Sequence, residues 1–592
     1  MKLTVTKSAH SAHFYVQKTI RLEKGGTTSV TVEKLGNLEE VTTKAHGGDP
    51  YKWAQEYVNE LNRREYEEQK SIIVSYSPSR LIEKGTRHSY NCGYLFLQDI
   101  YYRLRLDKIC KDISSRHSFE YDLDRILRDL TYTRIMYPSS KLRSCEQAKS
   151  FIEQPTYRPH DVYRALSVLA AESDTIQSEL YKNSRDVTER RSDVLYYDCT
   201  NFFFELEEED SLRKYGKSKQ HQPLPVVGMG MFMDYDGIPL AFDIYPGNMN
   251  EQPTLKPLEA KVIKDYGIKS LIVCTDAGLS SRANRKFNDK TLDGVQVRSF
   301  VTTQSVRALP AEHREFALDR NGWKLPGDDA EYCLDDLDPD RDHDRIYYKE
   351  KWIVEDLTEK QKEKGAKPLE QRLIVSYSLK YRNYLRKVRQ GQIDRAARMI
   401  KSGSWKTKAR NQNDPARFIG HQTMTDDGEA CTVDMPYLDT DAINAEAAYD
   451  GFYAICTNEE KLGICELIRL NKKRWEIEEC FRIMKTEFRA RPVYLQREDR
   501  IKAHFLTCFI SLVVYRILEK QLGERYTCEE LIDTLGGMMM QRPGEKMGYI
   551  PAYTRTDITD ALHENAGFRT DYEITNDIKM KQIIRKTHQR KK

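Results

Sequence analysis

Glu478 follows Arg474 by four residues and precedes Lys485 by seven. On a helix of about 100° per residue the three fall near 0°, 40° and 20°, forming one row. Leu470, Ile477, Phe481, Met484 and Phe488 fill the adjoining stripe, so such a helix would pack one face and hold a cation–carboxylate–cation row beside it. A carboxylate between two cations on the edge of a core suits a metal ligand set against a phosphodiester. The same spacing also suits an amphipathic helix carrying solvated intrahelical pairs. Acids elsewhere in the chain must decide between the two.

Two stand out. Asp198 interrupts Val194-Leu-Tyr-Tyr-Asp-Cys-Thr-Asn-Phe-Phe-Phe-Glu205, an apolar and aromatic run that reads as a strand covered on both faces. A carboxylate buried there needs a cation, a metal or strong donors. Asp276 ends a second apolar strand, Ser270-Leu-Ile-Val-Cys-Thr-Asp276, where α/β sheets place ligand sites. Either alone could be a turn or capping aspartate. With Glu478 they form a three-carboxylate set of the kind that holds two divalent ions about 4 Å apart for phosphodiester cleavage.

The elements that must position these acids follow from length and pattern. At 592 residues the chain exceeds one ordinary core, and 39% apolar with 31% charged residues describes a soluble globular protein. A formal charge of +4 announces no nucleic-acid partner by itself, so only local patches can. Twelve scattered cysteines without a C-x-x-C pair argue against a zinc site or disulfide framework. The N-terminus lacks a signal-peptide core, and the longest apolar run, Phe505–Tyr515, is half a bilayer span. A cytoplasmic protein with no membrane partner is expected.

Residues 1–50 read as a small β unit with a Gly25-Gly26 turn, and 51–190 as a helical, charged region. Strands at 194–205, 225–233 and 238–245, the last two joined by Asp236-Gly237, open an α/β segment over 191–290. A helix from Thr254 to Tyr266 closes at Gly267. Residues 291–446 look like a separate insertion of short β runs (Val297–Thr303, Tyr347–Glu355, Arg372–Tyr377) with a basic helical stretch. Strand character returns at Gly451–Cys456 within a segment 447–530, and 531–592 forms a C-terminal region with a frayed basic tail.

Taken together, Arg474-x3-Glu478-x6-Lys485 resembles the R-x3-E-x6-K part of the signature of bacterial insertion-sequence DDE transposases, in the branch with Y-x2-R-x3-E-x6-K. Asp236-Gly-Ile-Pro-Leu, Pro246-Gly-Asn-Met-Asn-Glu251, Tyr449-Asp-Gly-Phe-Tyr-Ala-Ile455, Arg491-Pro-Val-Tyr and Arg500-Ile-Lys-Ala-His504 are similar to the same family. Asn471 stands where the signature has tyrosine. The resemblance covers residues 190–520 well and the first 190 more loosely. It implies an α/β, RNase H-like catalytic core interrupted by a β-rich insertion, with Asp198 on the first strand, Asp276 after the fourth and Glu478 on the following helix. Two Mg²⁺ (or Mn²⁺) ions would be held by these three acids. Of the rival third acids, Glu476 and Glu479 project roughly 160° and 100° away from Glu478.

It also implies a bacterial DNA transposase that cleaves and joins strands at terminal inverted repeats, as a homodimer on double-stranded DNA, with the 51–190 region binding DNA ends. Arg474 and Lys485 would neutralise phosphate. Rival readings are a catalytically silent DNA-binding derivative and an RNase H-like nuclease without strand transfer. Gly216-Lys217-Ser218 lacks the earlier glycine of a P-loop, Ser211 standing there, so no nucleotide cofactor is expected. By resemblance Tyr215–His221, with Lys217 and Lys219, is a candidate DNA-facing loop, or an ordinary solvated one. Trp475 either stacks on a base or packs beside the helix. Between Lys380 and Arg417 twelve Lys/Arg face two Asp, interleaved with Tyr381, Tyr384 and Trp405, which favours DNA contact through residues such as Arg386 and Arg389. His221 and His504 read as structural.

Overall fold

The computed structural model describes residues 1–8, 11–21, 27–68, 77–219, 222–355, 357–405, 413–423, 434–544 and 547–589. They divide into two compact units: Met1–Ser89 with Met540–Ala552 and Thr570–Met580, and Tyr90–Met539 with Tyr553–Arg569 and Lys581–Lys592.

In the first unit three antiparallel strands, Lys2–Ser8, Ser11–Arg21 and Thr27–Asn37, pair in chain order. Ala54 and Val58 of helix Pro50–Glu68 pack with Val41 onto Phe14, Val16 and Leu35. A small sheet has one apolar face to cover, and this i, i+4 pair covers it. The helix therefore belongs to the β unit, which corrects the boundary expected at residue 50. The Gly25-Gly26 turn lies outside the described residues.

The second unit begins with helices, among them α1 (Leu123–Met136), α2 (Lys141–Ala148) and α3 (Pro159–Ala171). Its sheet contains β1 (Val194–Phe203), β2 (Val226–Asp234), β3 (Pro239–Pro246), β4 (Leu271–Thr275), β5 (Val295–Gln304), β6 (Tyr347–Val354), β7 (Glu370–Tyr377) and β8 (Phe452–Thr457). Their order is β3-β2-β1-β4-β5-β8-β7-β6. β4 runs parallel to β1 and β5 parallel to β4, whereas β2, β3 and β8 are antiparallel to their neighbours. The first five strands, ordered 3-2-1-4-5 with 1, 4 and 5 parallel, form the expected RNase H-like core.

Two boundaries move. Val297–Thr303, assigned from sequence to an insertion, is the fifth core strand. β6 and β7 then extend the same sheet: Leu373, Val375 and Tyr377 share one core with Phe452, Ala454, Cys456 and Trp323. A separate domain over 291–446 is not what forms, because β8 lies between β5 and β7 and makes the sheet continuous.

Alternation along β1 sorts its two faces. Leu195, Tyr197 and Cys199 pack with Leu255, Leu258 and Val262 of α4 (Leu255–Tyr266), which ends at Gly267 with φ +72°. Tyr196, Asp198, Thr200 and Phe202 face the other way. There the helices that follow α5 (Leu379–Lys401) assemble: α6 (Ile464–Lys473), α7 (Trp475–Lys485) and α8 (Glu498–Gln521). Tyr196 donates its hydroxyl to the Leu470 carbonyl at 3.1 Å, and the Phe202 and Phe505 rings lie 4.7 Å apart.

α8 is long and apolar enough to cross a membrane, yet 94% of its most apolar stretch is buried inside the protein. α1 and α3 pack on it, and Ser511 donates to the Thr131 carbonyl at 3.3 Å. The helices after residue 90 thus belong to the second unit, correcting the boundary at 190. The tail expected to fray forms a helix, Asp577–His588, with Thr587 buried.

Candidate active site

The register Val194↔Ile272, Leu195↔Val273, Tyr196↔Cys274, continued by two residues, sets Asp198 beside Asp276 on strands about 4.8 Å apart. Asp276 stands just past β4, accepting the Leu279 amide at 2.9 Å through its side chain and the Thr302 hydroxyl at 3.3 Å through its carbonyl. Asp198 accepts the Cys199 amide at 2.7 Å. Burial pushes the Asp198 carboxyl up to about 6; the Asp276 charge adds to the rise, while Lys219, the Cys199 amide and Arg474 oppose it.

Above this pair the helix expected to run unbroken from Asn471 is two helices meeting at Arg474, whose backbone stays helical at φ −54° and ψ −23°. Its guanidinium pairs with Glu478 at 3.1 Å, and the Glu478 side chain is 57% exposed. The apolar stripe is fully used: Leu470, Ile477, Phe481, Met484 and Phe488 are all buried. Lys485 donates to the Thr200 hydroxyl, one position along the same face of β1 from Asp198. Burial brings its ammonium down to about 8, helped by repulsion from Arg491 and Lys219.

The neighbouring acids have other partners. Glu476 is buried against Arg516 at 3.3 Å and Lys473 at 3.5 Å, beneath the Asp236-Gly237 turn, whose Gly237 carbonyl Arg516 also binds. Glu479 is paired with Arg482 at 2.7 Å.

Among the described residues no three of His, Cys, Asp and Glu stand close enough to share an ion. Asp198 and Asp276 come together; Glu478 stands off, held by Arg474. A buried carboxylate with a second one beside it, its charge only partly offset by Lys219 and Arg474, is a donor pair of hard oxygens that fits a divalent cation.

The loop before β2 is clamped to β1 by Asn201, which donates to the Lys217 carbonyl at 2.9 Å and accepts the Lys219 amide at 3.2 Å. Gly216 makes this possible: a Cβ there would lie 2.0 Å from the Gly247 carbonyl oxygen. Lys219 reaches the Cys199 carbonyl and pairs with Glu251 at 3.4 Å, while Lys217 is exposed. Asn201 carries no signal in the sequence, and Glu251 is marked there only by the Pro246–Glu251 motif. His221 lies outside the described residues. His504 is buried, its imidazole kept well below the usual histidine range by burial, with Nε2 3.0 Å from the Ala490 carbonyl.

Asn471, at the signature tyrosine position, is buried; it donates to the Tyr453 hydroxyl at 2.7 Å and accepts from Thr303 at 3.3 Å. Tyr453, Tyr381, Tyr384, Lys380, Trp475 and Glu478 line a cleft of about 580 Å³. Trp475, 61% exposed, stands at its mouth instead of packing into the helix face.

α5 carries the basic stretch, and it divides. Arg386 and Lys387 are exposed, whereas Arg389 is buried with both terminal nitrogens on Asp450, the first at 2.6 Å. Arg389 is thus a core ion pair, which corrects its expected place on DNA. Replacing Arg389 with Met should cost about 3–5 kcal/mol, read as a drop in melting temperature, by stranding the Asp450 charge. Replacing Arg386 and Lys387 with Gln should move stability by no more than about 1 kcal/mol, since the exposed Arg386 lies 3.7 Å from Asp450, and flatten the slope of log affinity against log salt by about 0.9 per lost phosphate contact. An unchanged slope would make α5 a solvated face.

The family described as "Transposase DDE domain" matches residues 189–514, more than half of the chain. The chain belongs to the transposase DDE-domain family. No curated protein sequence matches it. Among solved structures it is similar to a piggyBac transposase synaptic complex with hairpin DNA, at 8% identity over 84% of each chain and a TM-score of 0.33, too loose a superposition to add to the topology above.

Proposed function

We propose that this transposase-family chain cleaves DNA at the terminal inverted repeats of an insertion sequence and joins the freed 3′ ends to a target, using Asp198, Asp276 and Glu478 to hold Mg²⁺ or Mn²⁺. The observation that supports it most is the pairing of Asp198 with Asp276 on adjacent parallel strands, beneath the helix that carries Arg474, Glu478 and Lys485. Bound divalent ions would polarise the phosphodiester and make an attacking hydroxyl more acidic.

The chain's own groups do the rest. Asp198 and Asp276 fix the site from a rigid sheet. Arg474 holds Glu478 in reserve and, when a phosphate takes its guanidinium, frees that carboxylate to complete the ligand set. Lys485, anchored on Thr200, places a cation beside the scissile strand. Lys219, Arg386 and Trp475 extend the DNA contact from the loop, α5 and the cleft mouth, and a homodimer would pair two ends.

The test is a labelled terminal-repeat duplex incubated with the protein in Mg²⁺ or EDTA, followed by a target plasmid. Cleavage in Mg²⁺ alone and a joined product are expected. Cutting without joining would identify a nuclease, and tight binding with no metal-dependent cutting a silent DNA-binding derivative; either sinks the proposal.

A further inference from the structure

A cavity of about 670 Å³ opens between the chain reversal after α7 and the start of α2. Arg134, Lys141, Arg489, Arg491, Arg497 and Arg500 line it, and its described lining contains no Asp or Glu. Arg134 and Lys141 are both buried there and repel each other, an unfavourable pairing of like charges that an anion would relieve.

The side chains are built into the fold and left incomplete. Arg134 is buried, donating to the Phe488 carbonyl at 3.0 Å and the Ser139 carbonyl at 3.0 Å, which fixes the two walls. Lys141 is 4% exposed, and its ammonium has no hydrogen-bond partner. Arg491 Nη1 and Arg500 Nε are likewise buried and unpartnered. Both guanidiniums rest near aromatic rings, Arg491 5.6 Å from the centre of Phe203 and Arg500 5.3 Å from that of Tyr163, so their planes are held while donors stay open. Burial and the Arg134 charge bring the Lys141 ammonium down to about 7, and an anion bound beside it would favour its charged form.

Position supplies the ligand's identity. Arg491 lies close enough to Lys485 to repel it, and Lys485 sits on Thr200 beside Asp198. The cavity therefore continues the cationic side of the active site. Tetrahedral phosphate, with several acceptor oxygens, can satisfy an ammonium and two guanidiniums at once.

We propose that Lys141, Arg491 and Arg500 form a binding site for a backbone phosphate of the DNA strand whose scissile bond is presented to Asp198 and Asp276. The site rests on the proposed function for its DNA ligand, and only for that. It fixes the strand's register at a phosphate away from the reacting one, which tells the active site where to cut without reading a base.

The full-length protein is tested in EDTA, so that no cleavage enters. Inorganic phosphate should raise the melting temperature of the wild type in a concentration-dependent way. Lys141→Met, which removes an unpaired buried charge, should melt at or above the wild type without phosphate, and lose the phosphate response. Its affinity for a terminal-repeat duplex should fall about ten-fold, with the salt slope reduced by about 0.9. Arg500→Gln, in which a neutral amide replaces the guanidinium, should weaken phosphate and duplex alike and serves as the readout if Lys141→Met misfolds. A full phosphate response in both variants overturns the site. A response lost in both with duplex affinity intact overturns the DNA assignment, leaving free phosphate as the ligand. The phosphate arm needs neither DNA nor metal, so it can succeed or fail whether or not the wild type proves to be a transposase.

Discussion

Asp198→Asn should raise the melting temperature of the metal-free protein and abolish the proposed cleavage. The substitution keeps shape and removes charge. In the folded protein the carboxyl titrates at about 6 against an ordinary 3.8. Between these values the folded state binds more protons than the unfolded one, so stability falls as pH rises through that window and the penalty is complete above it. A rise of about two units corresponds to about 3 kcal/mol, which the asparagine variant recovers at pH 7. The difference between variant and wild type should vanish near pH 3.5, where both states of the wild type are protonated. Mg²⁺ should raise the melting temperature of the wild type and leave the variant unmoved. Cleavage should drop by about 10³-fold or more, since several kcal/mol of transition-state stabilisation go with the ligand. A variant that still responds to Mg²⁺ and cuts would remove Asp198 from the site.

The core strands of the second unit were legible because each is a short apolar run bounded by turn residues, and Asp236-Gly237 and Gly267 sit at the turn and helix end they announce. What sequence could not supply was which run pairs with which. Val297–Thr303 looks like any buried strand, and only its parallel pairing with β4 makes it the fifth core strand instead of the start of an insertion. Residues 51–190 read as helical throughout, while the membership of helix Pro50–Glu68 in the β unit depends on the sheet face it covers.

The site divides in the same way. Asp198 was conspicuous as a charge inside an apolar run, and the wheel placed Arg474 and Glu478 together, as their 3.1 Å pair bears out. The two basic side chains on α5 told apart by structure, Arg386 and Arg389, are three residues apart and identical in type. Their fates differ because Asp450, remote in sequence, takes the buried Arg389 with both oxygens, while exposed Arg386 only reaches the same carboxylate at 3.7 Å. Lys141 carried no signal at all: one lysine among many, marked only by a buried ammonium that has no hydrogen-bond partner among the described residues.

Three glutamates on α7 should give three different outcomes when each is changed to alanine. Glu478 is 57% exposed and paired only with Arg474, so its loss should move the melting temperature by no more than about 1 kcal/mol. Cleavage should nevertheless fall by about 10³-fold or more, because the acid proposed to complete the metal site is gone. Glu479, one residue on, is paired with Arg482 at the surface and points away from β1; its variant should lose as little stability and cut normally. Glu476 is buried against Arg516 and Lys473 under the Asp236-Gly237 turn. Removing it takes one charge-assisted hydrogen bond from Arg516, which stays paired with Glu519, and should cost about 1.5–3 kcal/mol, with normal cutting per folded molecule. The measurements are thermal melts beside single-turnover cleavage of the terminal-repeat duplex, normalised to folded protein. Duplex binding by all three variants should stay within about three-fold of the wild type, since none removes a cation. If Glu479→Ala is dead and Glu478→Ala active, the third acid has been assigned to the wrong face of α7.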